Sequence, residues 1–132
     1  MELKKMIFVL LILSSLCAAA NDKYFDKLRN LTNLQKNEQL VIIYQNLGSC
    51  IKCYIKPMEQ INNLVKEGKI KKYKLLAMVR CDRDIELNIY KTQVDWKDFL
   101  YRDDGFSRKT FGVDENTSII VLNYFGKILI KY

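Results

Sequence analysis

The stretch that decides the fold is Leu40-Val41-Ile42-Ile43-Tyr44, running through a short turn into Gly48-Ser49-Cys50-Ile51-Lys52-Cys53. A five-residue apolar run rich in β-branched side chains predicts a buried strand. After the turn, Ile51, Ile55, Met58, Ile61, Leu64 and Val65 recur at helical spacing, which places them on one face of a helix. Cys50 and Cys53 therefore fall in the first turn of that helix, at the carboxyl end of the strand. Cysteines at i and i+3 share a face and can be bridged. A helix N-terminus carries unpaired N–H groups and a partial positive charge, so a thiolate there is stabilised and becomes reactive near neutral pH. The stretch points to thiol redox chemistry.

Outward from this centre, the chain has 132 residues and a net charge of +7. Residues 1–20 have the layout of a secretion signal. Lys4 and Lys5 form a charged start, Met6 to Cys17 is apolar, and Ala18-Ala19-Ala20 offers small residues for cleavage. The apolar run is shorter than the ~20 residues of a stable membrane span. Cleavage after Ala20 is expected, leaving 21–132 as one domain in an extracytoplasmic compartment such as a bacterial periplasm. Lipid attachment at Cys17 is the rival route, disfavoured by Leu16 where a small residue is usual. A membrane enters only through such a signal anchor or lipid. Residues 1–20 carry +1, so the remainder keeps +6. Its lysines and arginines are spread along the chain, with Lys69-Lys71-Lys72-Lys74 the densest group. That reads as a solvated junction, and no nucleic-acid motif accompanies it.

Three cysteines remain after residue 20: Cys50, Cys53 and Cys81. An odd, small number does not make a disulfide-stapled scaffold, and a chain of this length can build its own core. Zinc or copper(I) could in principle use three thiols, but the chain has no histidine, the commonest further ligand. No cofactor is expected.

In chain order, residues 21–36 predict a first helix, 39–45 the central strand and 50–67 the cysteine helix, closed by Gly68. Pro57 should kink that helix. Residues 73–80 predict a second strand, parallel to the first through a right-handed crossover. Cys81 then lies at the same sheet edge as the cysteine pair, where open α/β sheets bind their ligands. Residues 84–91 predict a short helix. Residues 94–102 are apolar without a clean period. Asp103-Asp104-Gly105 is a turn, 106–111 a helical turn ended by Gly112, and 118–124 with 127–131 a hairpin around Phe125-Gly126.

This order, from about residue 38 to the end, resembles the thioredoxin-like superfamily, in particular its extracytoplasmic bacterial thiol–disulfide oxidoreductases. Leu40–Tyr44 with Gly48–Cys53 is similar to the family's strand and redox motif. Phe111-Gly112-Val113, Thr117–Leu122 and Phe125-Gly126-Lys127 are similar to its closing section. The resemblance implies an α/β fold, a mixed four-stranded sheet with flanking helices. It implies Cys50 as the attacking thiolate and Cys53 as the resolving thiol, acting on protein thiols and disulfides with a separate redox partner. Lys52, Thr117 and Cys81 are the accessory positions. Lys52 adds positive charge between the cysteines, and Cys81 could supply a third thiol.

The chain departs from the family pattern in four places. The position of the family's cis-proline is Thr117, so a trans peptide or a changed loop is expected there. The position of the buried acid beneath the resolving cysteine is Tyr44. Pro57 follows Cys53 by four residues instead of five. No helix follows the last strand, so the fold is expected to lack the family's C-terminal helix, with the N-terminal helix covering that face. These departures keep open a second reading: a non-catalytic binding module with a structural disulfide.

Overall fold

A computed structural model describes residues 4–7, 23–47 and 51–132, with only the backbone of Ile51 and Lys52. Most of the signal-like segment, its expected cleavage site, Cys17 and Cys50 lie outside the described residues. Residues 4–7 are helical, and no helix among the described residues is long and apolar enough to cross a membrane.

The expected central strand is β1 (Gln39–Asn46), and it is hydrogen-bonded on both sides. It runs parallel to β2 (Tyr73–Arg80) and antiparallel to β4 (Ile119–Leu122). Ile42 is thus flanked by Leu76 on one side and Ile120 on the other. β4 pairs antiparallel with β5 (Ile128–Lys131), with a register shift between Val121 and Leu122.

The four-strand expectation requires correction. Phe99–Arg102 forms a further strand, β3, parallel to β2, and the sheet has five strands in the order β3-β2-β1-β4-β5. The chain enters β3 through a left-handed Asp95 (φ 51°). Trp96 then folds back, its amide donating to the Lys91 carbonyl (2.9 Å) and its indole N–H to the Phe99 carbonyl (2.9 Å). β3 is a half-buried four-residue edge, too short for alternation to show in the sequence.

Alternate residues of β1 feed two cores, as a period of two requires. Val41 and Ile43 pack with Ile61 and Leu64 of α2 (Ile55–Lys66) and with Tyr90 of α3 (Asp84–Gln93). Leu40, Ile42 and Tyr44 pack on the other face with Tyr24, Phe25 and Leu28 of α1 (residues 23–32). Leu34 and, from α4 (Phe106–Phe111), Phe111 join that second core. α1 covers this face as expected, but it stops earlier than residue 36. Thr32 turns its hydroxyl back to the Leu28 carbonyl (2.8 Å), and Asn33 takes a left-handed conformation (φ 50°).

The cysteine helix also differs in its first turn. Ile51–Tyr54 is a 3-10 turn, and α-helical geometry begins only at Ile55. Pro57 cannot donate to the Cys53 carbonyl, and the change from 3-10 to α geometry falls between these two residues.

The hairpin closes on Asn123, whose side-chain oxygen accepts from the amides of Phe125 (3.0 Å) and Lys127 (2.9 Å). Gly126 has φ +86°, and a Cβ there would lie 3.1 Å from a ring carbon of Phe25. Gly126→Ala therefore carries both a left-handed backbone cost and a contact with a buried ring. It is expected to lower stability by about 1–2 kcal/mol, measured by chemical denaturation. Gly68→Ala is the control: its φ is also positive (+73°), but nothing lies within 4 Å of the added carbon. Equal losses in the two variants would refute the Phe25 contact.

Candidate functional site

The site lies at the edge where β1 and β2 end, and five pieces of the chain build it. The 3-10 turn before α2 brings Cys53, which is solvent-exposed and disulfide-bonded. The end of β1 brings Tyr44, the end of β2 brings Arg80, α4 brings Arg108, and the segment before β4 brings Asp114 to Ser118. Cys53, Tyr44, Arg80, Asp103, Arg108 and Thr117 line one cavity of about 310 Å³. Cys53 also lines a larger groove of about 700 Å³ with Ile55, Lys56, Asn116 and Tyr132.

Tyr44 is buried against the second core, and its hydroxyl shares a 2.7 Å hydrogen bond with Ser107. The Arg108 guanidinium carbon sits 4.2 Å from its ring centroid. Burial pushes the phenol up to about 12, although the Ser107 hydrogen bond and the Arg108 charge pull the other way. The position where the family keeps an acid thus holds a neutral phenol at physiological pH.

Thr117 is buried, and no peptide bond among the described residues is cis. Its amide and its hydroxyl both donate to the Asp114 carboxylate, at 3.0 and 3.2 Å. Asp114 also accepts from the Asn116 amide at 2.9 Å. Arg108 donates through one nitrogen to the carbonyls of Asp114 and Thr117, the latter at 2.8 Å. Glu115 lies between two arginines, 3.2 Å from Arg80 and 3.8 Å from Arg108.

Of the expected site residues, the structure brings Cys53 and Thr117 to one cavity. Cys81 does not share it. Cys81 is a free, half-buried thiol in a separate hollow of about 300 Å³, with Asn46, Leu47, Arg80 and Glu86. Burial raises its pKa, opposed by the charge of Arg102, so it is held as the thiol. Cys50 lies outside the described residues, as does the side chain of Lys52. Among the described residues, no group of three cysteine or carboxylate side chains is placed to hold a metal ion.

The sequence reading missed the cavity's four charged residues: Arg80, Asp103, Arg108 and Glu115. Asp103 read as a turn residue, yet it is 7% exposed, with one carboxylate oxygen accepting from the Gly105 amide at 2.8 Å. Arg80 had a signal in its place at the end of a strand on the ligand-binding edge. Arg108 and Glu115 had none.

No known family model matches the chain, and no curated protein does. Among solved structures, it is similar to the thioredoxin domain of a thiol–disulfide oxidoreductase from Bacteroides vulgatus. That likeness covers 73% of this chain and 70% of the other, with a TM-score of 0.50 and 14% identity. The fold is thioredoxin-like. In this thioredoxin-like frame, Cys53 stands where the sheet's central strand gives way to its first crossover helix, and the Thr117 segment stands beside it.

The Asp114 cap carries a pH signature. Hydrogen bonds from the Asn116 amide and then from Thr117 hold its carboxyl below the ordinary carboxylate range. Its stabilising effect is therefore complete above the unfolded value of ~3.9 and is lost as pH falls through the lower folded value. A carboxyl-detected NMR titration should place the Asp114 midpoint below ordinary aspartates. A midpoint at the ordinary value would mean that the cap is not held in solution.

Proposed function

We propose that this protein is an extracytoplasmic thiol–disulfide oxidoreductase that acts on protein disulfides through Cys50 and Cys53. The observation that carries this reading is an exposed, disulfide-bonded Cys53, the second cysteine of a Cys-x-x-Cys, at the strand-to-helix junction of a thioredoxin-like fold. The similar domain of known structure is named as part of a thiol–disulfide oxidoreductase. The charged and apolar start of the chain supports export, where disulfides persist.

In this reading, Cys50 and Cys53 are partners in one disulfide. In the reduced protein, the Cys50 thiolate attacks one sulfur of a partner's disulfide. A Cys50–partner bond forms, and the partner's other sulfur leaves as a thiolate. The Cys53 thiolate then attacks the Cys50 sulfur, closing the intramolecular disulfide and releasing the second partner thiolate. Two electrons pass to the partner, and its thiolates take protons from solvent. The same steps in reverse oxidise a partner dithiol.

A second reading, a binding module with a static disulfide, is favoured by Thr117 in place of proline and by the neutral Tyr44. Reduction potential separates the two. A redox site should lie above about −300 mV, and a structural bond below it. Cys50→Ser should abolish insulin disulfide reduction, and Cys53→Ser should accumulate mixed disulfides visible on non-reducing gels. Full activity in both variants would remove the redox reading.

A further inference from the structure

The main-chain amides beside Cys53 are already committed. The Asn116 and Thr117 amides donate to Asp114, and the Ser118 amide donates to the Tyr132 carbonyl at 2.6 Å. The Ser118 carbonyl accepts from the Tyr44 amide at 2.9 Å, and the Thr117 carbonyl accepts from Arg108. An arriving strand needs a donor as well as an acceptor, and residues 116–118 have no amide to offer. The wall beside the disulfide-bonded cysteine is therefore a closed, internally bonded segment.

Arg80 meets this segment only at the Glu115 carboxylate, whereas Arg108 holds its main chain. Arg108 comes from α4, is 13% exposed, and bonds the carbonyls at both ends of the 114–117 turn. Its guanidinium carbon lies 4.2 Å from the Tyr44 ring centroid, and its Nε is 3.8 Å from Glu115. One guanidinium nitrogen bonds both carbonyls while the same delocalised cation sits on the Tyr44 ring, so a single side chain ties the turn to the end of β1.

We infer that Arg108 is a positioning residue for exchange with proteins. It braces the 114–117 segment against the end of β1 and so fixes the wall a partner protein must fit to reach the cysteine pair. Partner proteins are then held by side chains at this edge and not by strand pairing to residues 116–118. This rests on the redox reading above. A small disulfide, which needs no such wall, should be indifferent to Arg108.

The test uses the full chain as wild type, Arg108→Gln and Arg108→Lys, with folding checked by circular dichroism. Amide hydrogen exchange is followed at Asn116 and Thr117. Reaction of the reduced protein is followed with insulin and with the small aryl disulfide DTNB. In Arg108→Gln, exchange at 116 and 117 should accelerate roughly tenfold while β1 and β2 amides keep their rates. That factor is what one charge-assisted hydrogen bond is worth. kcat/KM on insulin should fall by a similar roughly tenfold factor, mainly through KM, while the DTNB rate stays within about twofold. Arg108→Lys should fall between, and it carries the test if the glutamine variant does not fold. Unchanged exchange at 116 and 117 overturns the proposal, as does an equal fall on insulin and DTNB. A wild-type protein that reacts with neither disulfide when reduced removes the redox reading itself, and this proposal with it.

Discussion

The structure depends on the complete enclosure of β1. Leu40 to Tyr44 are buried in sequence, paired with β2 on one side and β4 on the other, and covered by helices on both faces. Each large apolar side chain buried in this way contributes ~1.5–3 kcal/mol. An exposed ion pair such as Arg80–Glu115 contributes much less than that, because water screens it. The frame of the site is therefore set by the sheet, and the charges at its edge act within that frame. A strand pinned on four sides gives its carboxyl end a fixed position, and the turn into the cysteine pair starts from there.

The polar edge is tied back to that strand by two bonds of different character. The Tyr44 amide extends the β1–β4 pairing by one step to the Ser118 carbonyl. The Tyr44 side chain points into the second core and links outward through Ser107 and Arg108 to the 114–117 turn. One residue thus anchors the 114–118 segment through its main chain and through its ring. A carboxylate at position 44 would leave a buried charge facing Arg108 with no ring to stack on. The phenol supplies an apolar body for the core and one hydroxyl that finds its partner.

Much of this was legible in the sequence, and what was not has a physical reason. β1 and β2 are apolar runs bounded by polar turns, so their burial dictates their pairing. The hairpin was marked by Phe125-Gly126, where the backbone needs a positive φ. β3 was not legible because it is short, at an edge and half-buried, so its pattern is set by Trp96 folding back and not by alternation. The end of α1 was misjudged because Thr32 and Asn33 stop a helix by local bonds that an apolar period does not register. In the site, Cys53 and Thr117 were legible through motif and resemblance. Arg108 and Glu115 were not, since a surface-like residue becomes a cavity residue only when distant segments meet.

The two described sulfurs at this edge show how local surroundings divide chemistry between residues of one type. Cys53 follows the central strand, is exposed and is bonded to another sulfur. Cys81 follows the neighbouring strand, one position beyond the Asn46–Arg80 pairing. Its carbonyl accepts from Arg102, but its thiol stands among Asp82, Asp84 and Glu86, and those charges add to burial in disfavouring the thiolate. Glu86 is itself fixed there, since its carboxylate accepts from the Asp82 and Arg83 amides to cap α3. Burial is the main reason that Cys81 stays protonated; the Arg102 charge opposes it, and the helix-capping carboxylate of Glu86 adds to it. One sheet edge thus holds one cysteine sheltered as the thiol and another exposed in a disulfide, and the difference between them is set first by burial.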